Sequence, residues 1–174
     1  MRQFIAIPLP EEVKQTTENI ADSFLKIKGL KPVKPENLHL TLLFLGDTGT
    51  EEKFSELHKI TFTPFTLSTT CIKLFPERKP RLIWTEIEKS EELLDLYNKI
   101  ALVFGVKEKL KAHITLARIR RLMPQDYRIV AEKIDMANPL EIDFEVNRFI
   151  LYNSELRPEG PVHRIEEYFP AKIS

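Results

Sequence analysis

The sequence holds one cysteine, Cys71, among its 174 residues. A single cysteine excludes a disulfide-stapled secreted fold and a Cys-x-x-Cys metal site. The longest apolar runs, such as residues 42–45, fall far short of the ~20 residues of a membrane-spanning helix. The apolar stretch at residues 4–7 is too short for a signal peptide and is soon followed by Glu11 and Glu12. We therefore expect a cytoplasmic protein with no membrane attachment.

Glycine is scarce and net charge is absent. The five glycines form neither a G-x-G-x-x-G nor a G-x-x-x-x-G-K-[ST] pattern. The sequence therefore lacks the phosphate-binding turns of Rossmann dinucleotide sites and of P-loops. The 26 Lys and Arg balance the 26 Asp and Glu. A protein that coats nucleic acid without specificity needs a broad basic surface, so this class is excluded, whereas a short basic groove is not.

Basic residues nevertheless cluster at two places. Residues 26–35 contain four lysines and no acid, and residues 107–121 contain six basic residues and one acid. We expect these two stretches to rim a cleft and to attract a phosphate group. Solvated surface loops are the alternative, because runs of lysine commonly form them.

The spacing of apolar residues divides the chain into two similar halves. The first half predicts a strand at 3–8, a helix from Glu11 to about 27, a loop at 31–35, a strand at 37–45, a helix at 51–60 and a strand at 64–75. The second half predicts strands at 81–87, 112–119, 140–152 and 162–169, with helices at 91–104, capped by Ser90, and at 124–134. This repeated order predicts an α+β fold. We expect one domain, 1–174, with two duplicated lobes at about 1–78 and 79–174 that can exchange strands.

Each half carries the same short motif on one of its strands. The motifs are His39-Leu40-Thr41 and His113-Ile114-Thr115, and 74 residues separate the two histidines. Because strand side chains alternate between faces, the His and Thr of each motif point the same way. If a pseudo-two-fold axis relates the halves, two imidazoles and two hydroxyls face each other across a central cleft.

This set of side chains suits the opening of a cyclic phosphodiester. One imidazole can deprotonate water while the other protonates the leaving oxygen, since an ordinary histidine pKa of ~6.5 allows both roles. The threonine hydroxyls can donate to the phosphate oxygens, and the chemistry needs no metal. Either motif alone is more simply explained as a structural histidine on an apolar strand. A metal pair is a weaker alternative, because two histidines without an acidic neighbour make a poor ligand set.

The chain resembles the 2H phosphoesterase superfamily, in its branch of RNA 2′,3′-cyclic phosphodiesterases, also called the 2′-5′ RNA ligase family. The matching segments are Phe4-Ile5-Ala6-Ile7-Pro8, Pro35-Glu36-Asn37-Leu38-His39-Leu40-Thr41-Leu42 with Phe44-Leu45-Gly46, Pro80-Arg81-Leu82-Ile83-Trp84 and His113-Ile114-Thr115-Leu116-Ala117-Arg118. The likeness runs from about residue 1 to about residue 170. It implies a bilobal LigT-like fold, with antiparallel sheets and flanking helices around a central cleft.

The resemblance also implies an activity, namely hydrolysis of a terminal 2′,3′-cyclic phosphate to a 2′-phosphate, with reversible 2′-5′ joining of RNA ends. It makes His39 and His113 catalytic, with His113 activating water and His39 protonating the 3′ oxygen. Thr41, Thr115 and Arg118 then bind phosphate, and no metal or cofactor is implied. In a regular strand Arg118 would point away from the cleft, so its role requires a bulge or a strand end there.

The partners implied by the resemblance are RNA 3′ ends or nucleotides that carry a 2′,3′-cyclic phosphate, with tRNA halves among them, and we expect a monomer. Two other functions stay open. A module that binds RNA ends or nucleotides with little turnover would keep the cleft. A phosphodiesterase for a small nucleotide, such as ADP-ribose 1″,2″-cyclic phosphate, would keep the chemistry and change the substrate.

The sequence departs from the family pattern at two positions. Ala112 precedes the second motif, where the family often has proline. A tyrosine is common after Gly160-Pro161, where this chain has Val162 and His163. His163 is the better additional candidate for the site, although we expect it to lie at the surface. We expect His58 to lie on a solvated helix face, and Cys71 to be a buried, inert thiol.

Overall fold

Strands and helices alternate along the chain much as the apolar spacing predicts. The computed structural model describes residues 2–47 and 51–172. Its strands are β1 (Arg2–Pro8), β2 (Leu30–Pro32), β3 (His39–Gly46), β4 (Phe65–Phe75), β5 (Leu82–Ile87), β6 (His113–Ile119), β7 (Asp143–Val146), β8 (Arg148–Arg157) and β9 (Gly160–Pro170). Its α-helices are α1 (Glu11–Asp22), α2 (Glu51–Leu57), α3 (Glu91–Phe104) and α4 (Pro124–Ala137), and a 3₁₀ turn covers Pro35–Asn37.

The strands form one antiparallel sheet with the order β7-β4-β5-β6-β3-β1-β8-β9, and β2 adds to β6. Leu40 on β3 and Ile114 on β6 pair at the junction between the group β7-β4-β5-β6 and the group β3-β1-β8-β9. Strand β4 belongs to the first half of the sequence but pairs with β5 of the second half. Strand β8 belongs to the second half but pairs with β1 of the first half. The groups of strands therefore do not coincide with the two halves of the sequence.

Helix α3 shows why the local pattern predicted its ends correctly. The Ser90 side chain accepts a hydrogen bond from the Leu93 backbone N–H at 3.1 Å, as an N-cap does. Gly105 ends the helix in the left-handed conformation, with φ of 70°. Between these ends, Leu93, Leu96 and Ile100 lie on one buried face.

Three sequence predictions differ from the structure. The first helix ends at Asp22 and not near residue 27, and Phe24 and Ile27 stay buried in the turns that follow it. The loop predicted at 31–35 contains part of strand β2. This strand is possible because β3 pairs with β6 only near Leu40, which leaves the rest of that edge of β6 open. A proline is tolerated there because β2 lies at an edge.

The third difference concerns the long strand predicted at 140–152. The structure has two strands in this region, β7 and β8, separated at Asn147. They pair with different partners, because β7 lies beside β4 and β8 lies beside β1. The apolar alternation of β7 stops at Asn147 and Arg148, where the partner changes, and β8 continues with consecutive apolar residues.

The core lies on the face of the sheet opposite the two histidines. Its fully buried side chains include Ile5, Ile7, Leu40, Ile83, Ile114 and Leu116. Residues 4–7 of β1 are all buried, which fits a central strand that is covered on both faces. In the described ranges, no helix is long and apolar enough to cross a membrane.

Candidate active site

The two H-x-T motifs meet where β3 and β6 lie side by side. Leu40 pairs with Ile114 in antiparallel register, and both side chains are fully buried. Continuing this register by one residue places His39 opposite Thr115, and Thr41 opposite His113. Because alternate residues share a face, the two histidines and two threonines lie together on the face opposite the core.

Both histidines are held in the same way by the backbone two residues before them. His39 Nδ1 lies 2.8 Å from the carbonyl oxygen of Asn37, and His113 Nδ1 lies 2.6 Å from that of Lys111. A carbonyl only accepts, so each Nδ1 carries the proton and donates it. In the neutral rings Nε2 is then the free acceptor, which leaves both imidazoles able to take up a proton at Nε2.

The surroundings keep both histidines neutral near pH 7. Burial, then the neighbouring His163, lower the pKa of His39 from 6.5 to about 4, although the hydrogen bond to Asn37 acts in the opposite direction. His113 and Arg118 contribute smaller parts of the same decrease. The pKa of His113 is also lowered, by burial, while its hydrogen bond to Lys111 raises it. A bound anion between the rings would oppose these effects, since it favours the protonated form.

An aromatic ring packs against each histidine. The ring centroids of Phe4 and His39 are 4.8 Å apart, and those of Trp84 and His113 are 4.2 Å apart. Phe4 pairs with Phe44 along the sheet, whereas His39 pairs with Pro8. In a flat sheet, Phe4 and Pro8, the partner of His39, would lie about 13 Å apart along β1. The ring contact therefore shows that the sheet curls toward this face and forms a cleft.

A bulge follows each motif at the corresponding place. Thr41 pairs with Ala6 and Leu43 with Ile5, so Leu42 is an extra residue in β3. The same irregularity occurs in β6, where Leu116 has no partner of its own between Thr115 and Ala117. In each strand both residues at the bulge are buried, which reverses the alternation of the residues that follow.

The bulge in β6 brings Arg118 to the face that carries His113. In a regular strand Arg118 would point away from the cleft, and this bulge is the irregularity that its proposed role requires. The Arg118 guanidinium lowers the pKa of both His39 and His163, as a cation close to both rings does.

Lys31 of the first basic stretch pairs with Arg118 along β2. Lys111 of the second stretch places its Nζ 5.6 Å from the ring centroid of Phe75, which stacks on Trp84.

Three aromatic side chains complete this face, and among them the sequence named only His163, as an additional candidate. His163 on β9 was expected at the surface, and this prediction is wrong: it is half-buried, with its ring centroid 5.4 Å from that of His39. Tyr152 on β8 stacks on Phe4 at 5.1 Å. Phe44 lies 6.0 Å from Phe4 and is 75% exposed. A signal for Phe44 was available in the sequence, because Phe44 and Arg118 each lie five residues after a motif histidine.

The other candidates lie outside this cluster of side chains. His58 is exposed as predicted, although it lies just after the end of α2 and not on a helix face. Its Nε2 lies 2.7 Å from Glu167 Oε1. Cys71 is only partly buried, so the prediction of a buried thiol is wrong. Its Sγ lies 3.7 Å from Glu86 Oε2. Within residues 2–47 and 51–172, no three His, Cys, Asp or Glu side chains converge as a metal site requires.

Comparison with known proteins agrees with this geometry. Residues 7–84 match the family model described as LigT like phosphoesterase. The chain is 33% identical to the RNA 2′,3′-cyclic phosphodiesterase of Archaeoglobus fulgidus, covering 94% of this chain and 97% of that protein. The enzyme of the same name from Thermotoga maritima is also 33% identical, with 95% and 92% covered. The chain belongs to the LigT-like phosphoesterase family. The resemblance inferred from the motifs and the prediction of a phosphodiesterase are thereby confirmed.

Solved structures confirm the LigT-like fold. A crystal structure of a protein from Thermus thermophilus matches with a TM-score of 0.80 at 30% identity, and 98% of this chain and 97% of that chain are covered. The Escherichia coli LigT structure complexed with 3′-AMP also matches with a TM-score of 0.80, at 22% identity, with 99% and 98% covered. This LigT-like enzyme therefore has the α+β architecture that the sequence predicted.

Proposed function

We propose that this phosphodiesterase hydrolyses the 2′,3′-cyclic phosphate at an RNA 3′ end to a 2′-phosphate, by general acid–base catalysis with His39 and His113. The pairing of Leu40 with Ile114 carries the proposal, because it sets the two imidazoles on one face, diagonally across the two strands, with Nε2 as the acceptor of each neutral ring. The names of the relatives from Archaeoglobus and Thermotoga support the choice of substrate.

In this reaction His113 Nε2 takes a proton from water as the water oxygen forms a bond to phosphorus. The bond between phosphorus and the 3′ oxygen breaks, and His39 Nε2 gives its proton to that oxygen. His39 suits the acid role because a group with a depressed pKa is a strong acid once it is protonated. The cyclic phosphate is itself an anion, and its presence between the rings favours the protonated form.

Phosphate binding falls to Thr41, Thr115 and Arg118 in this proposal. The two hydroxyls lie beside the imidazoles, and the guanidinium lies within electrostatic reach of His39. These donors would stabilise the charge that builds up on the non-bridging oxygens during displacement. Since the chain itself supplies acid, base and anion-binding groups, we propose a reaction without metal or cofactor.

We also propose a second reaction at the same site. With an RNA 5′ hydroxyl in place of water, the same proton transfers form a 2′-5′ phosphodiester, and the reverse reaction exchanges the roles of the two histidines. The proposed partner is therefore an RNA 3′ end that carries a cyclic phosphate, tRNA halves included. We propose a monomeric enzyme of the cytoplasm.

A panel of cyclic phosphates in the presence of EDTA tests the proposal. The panel contains an oligoribonucleotide 2′,3′-cyclic phosphate, a mononucleotide 2′,3′-cyclic phosphate and ADP-ribose 1″,2″-cyclic phosphate. We expect a 2′-phosphate product from the oligonucleotide, and loss of activity by about 100-fold or more in His39→Ala and His113→Ala. His58→Ala, which removes a histidine outside the site, should keep full activity.

Each other result has a definite meaning. Turnover that EDTA abolishes would contradict the metal-free mechanism. Tight binding of the cyclic end without product would favour a binding module. Turnover confined to ADP-ribose 1″,2″-cyclic phosphate would keep the chemistry and replace the substrate.

A further inference from the structure

His163 is the third histidine of the cleft. Its ring stands nearly perpendicular to that of His39, at an interplanar angle of 83°, and lies edge-on against Phe4 at 4.9 Å. Its Nδ1 is buried and has no hydrogen-bond partner among the described residues. A buried polar atom with no partner in a half-buried ring at an active site calls for an explanation.

The groups that face His163 come from three other strands of the sheet. They are His39 on β3, Arg118 on β6 and Tyr152 on β8, whose ring centroid is 6.4 Å away. Burial, and then the Arg118 guanidinium, lower the pKa of His163. The ring is therefore neutral at neutral pH and carries one proton.

The position of that proton follows from the burial of Nδ1. A proton on Nδ1 would be a buried N–H with no acceptor, which is unfavourable. The proton therefore resides on Nε2, and Nδ1 remains an unprotonated acceptor. This tautomer is the reverse of that in His39 and His113, whose Nδ1 atoms donate to backbone carbonyls. His163 is thus suited to donate a hydrogen bond, whereas the other two present an acceptor.

We propose that His163 is a further phosphate-binding residue, whose neutral Nε2–H donates a hydrogen bond to an oxygen of the cyclic phosphate between His39 and Arg118. This inference rests on the proposed function. It also gives a reason for the departure from the family pattern, because a tyrosine hydroxyl is likewise a neutral donor. His163 acts by binding, and the proton transfers remain with His39 and His113.

The pair His163→Tyr and His163→Phe tests the inference, because these variants differ by one hydroxyl. A hydrogen bond to a charged group is worth about ten- to a hundredfold, so we expect kcat/KM for the oligonucleotide cyclic phosphate to fall by that factor in His163→Phe. His163→Tyr should recover to within about threefold of the parent. Inhibition by inorganic phosphate should weaken in His163→Phe and not in His163→Tyr. A thermal melt of each variant checks that the fold is intact.

Equal activity of the Phe and Tyr variants would overturn the inference, because the ring would then act by packing alone. If His163→Phe fails to fold, His163→Gln and His163→Leu provide a second pair with and without a donor. The Gln variant should be the more active, and equality would again overturn the inference. An active His39→Ala would instead overturn the proposed function, so the two failures are distinguishable.

Discussion

Phe44 and Arg118 occupy corresponding positions, each five residues after a motif histidine and just beyond a bulge that turns it toward the cleft. The two halves of the site therefore have the same backbone irregularity and different chemistry. One half presents an exposed aromatic ring and the other a cation. A nucleotide with a terminal phosphate carries groups that match both, namely a base with a π face and an anion.

Replacing Phe44 with alanine should weaken nucleotide binding. Stacking of a base on an aromatic side chain is worth about 1–3 kcal/mol, so we expect KM for a mononucleotide 2′,3′-cyclic phosphate to rise by about 5- to 150-fold, with kcat little changed. Phe44→Tyr should keep the parent KM because it keeps the ring. Steady-state kinetics of the three proteins measure this.

Two controls separate stacking from a general effect of the substitution. Leu102→Ala removes another exposed apolar side chain, on α3, and should leave KM unchanged. Ribose 2′,3′-cyclic phosphate has no base, so Phe44→Ala should bind it as the parent does. A rise in KM for this substrate as well would contradict a stacking role.

Replacing Arg118 with alanine should impair phosphate binding. We expect kcat/KM to fall by about ten- to a hundredfold, because a charge-assisted hydrogen bond is lost, and Arg118→Lys should be intermediate. The pKa of His39 should rise in Arg118→Ala, since the guanidinium lowers it in the parent. NMR titration measures this shift. Arg128→Ala, at an exposed position on α4, is the matched control and should change neither quantity.

The sequence predicted the motifs and missed what depends on the partner strands. His39, Thr41, His113 and Thr115 share a face because each motif is local to one strand. The bulge in β3 could not be predicted, because Leu42 and Leu43 are consecutive apolar residues and are also typical of a fully buried strand. Only the register against β1 shows that one of them is extra.

The place of His163 in the cleft could not be predicted for a related reason. Its strand, β9, lies three strands from β3 in the sheet order, so its contact with His39 depends on the curl of the whole sheet. Local periodicity carries no information on that curl. Helix α3 shows the opposite case, since Ser90 and Gly105 fix its ends through contacts within a few residues.

The pH dependence of catalysis should reflect two depressed histidine pKa values. The free enzyme needs one imidazole neutral and the other protonated, so kcat/KM should follow a bell-shaped curve. The pKa of His39 is about 4 and that of His113 is below 6.5, so both limbs belong to the acidic range. Above pH 6.5 we expect kcat/KM to fall about tenfold per pH unit. A kcat/KM that increases between pH 7 and 8 would contradict this assignment.

Stability should fall as the pH drops from about 6.5 to about 4, in part through His39. In this range the unfolded chain binds a proton at this residue and the folded protein does not, so acid favours unfolding. The shift of the pKa from 6.5 to about 4 corresponds to roughly 3 kcal/mol. We expect His39→Gln to lose less stability than the parent between pH 7 and 4 in urea denaturation.

Gly29 links the turn after α1 to the end of the strand that carries Arg118. Its carbonyl accepts a hydrogen bond from the Arg120 N–H at 2.8 Å, and its φ is 93°. A Cβ at this position would lie 1.7 Å from the carbonyl oxygen of Arg121, so the backbone would have to move. We expect Gly29→Ala to destabilise the fold by more than about 4 kcal/mol, well beyond an ordinary substitution.

Gly46→Ala is the matched control for this prediction. Gly46 also has a positive φ, of 74°, but a Cβ there would meet nothing within 4 Å. Its substitution should therefore cost about 1–2 kcal/mol, which is the cost of the left-handed conformation alone. Urea denaturation of both variants measures the difference. If they unfold at the same midpoint, the close approach of Gly29 to Arg121 does not constrain the fold. If only Gly29→Ala is strongly destabilised, the steric clash with Arg121 accounts for the excess, because both variants share the cost of the backbone conformation.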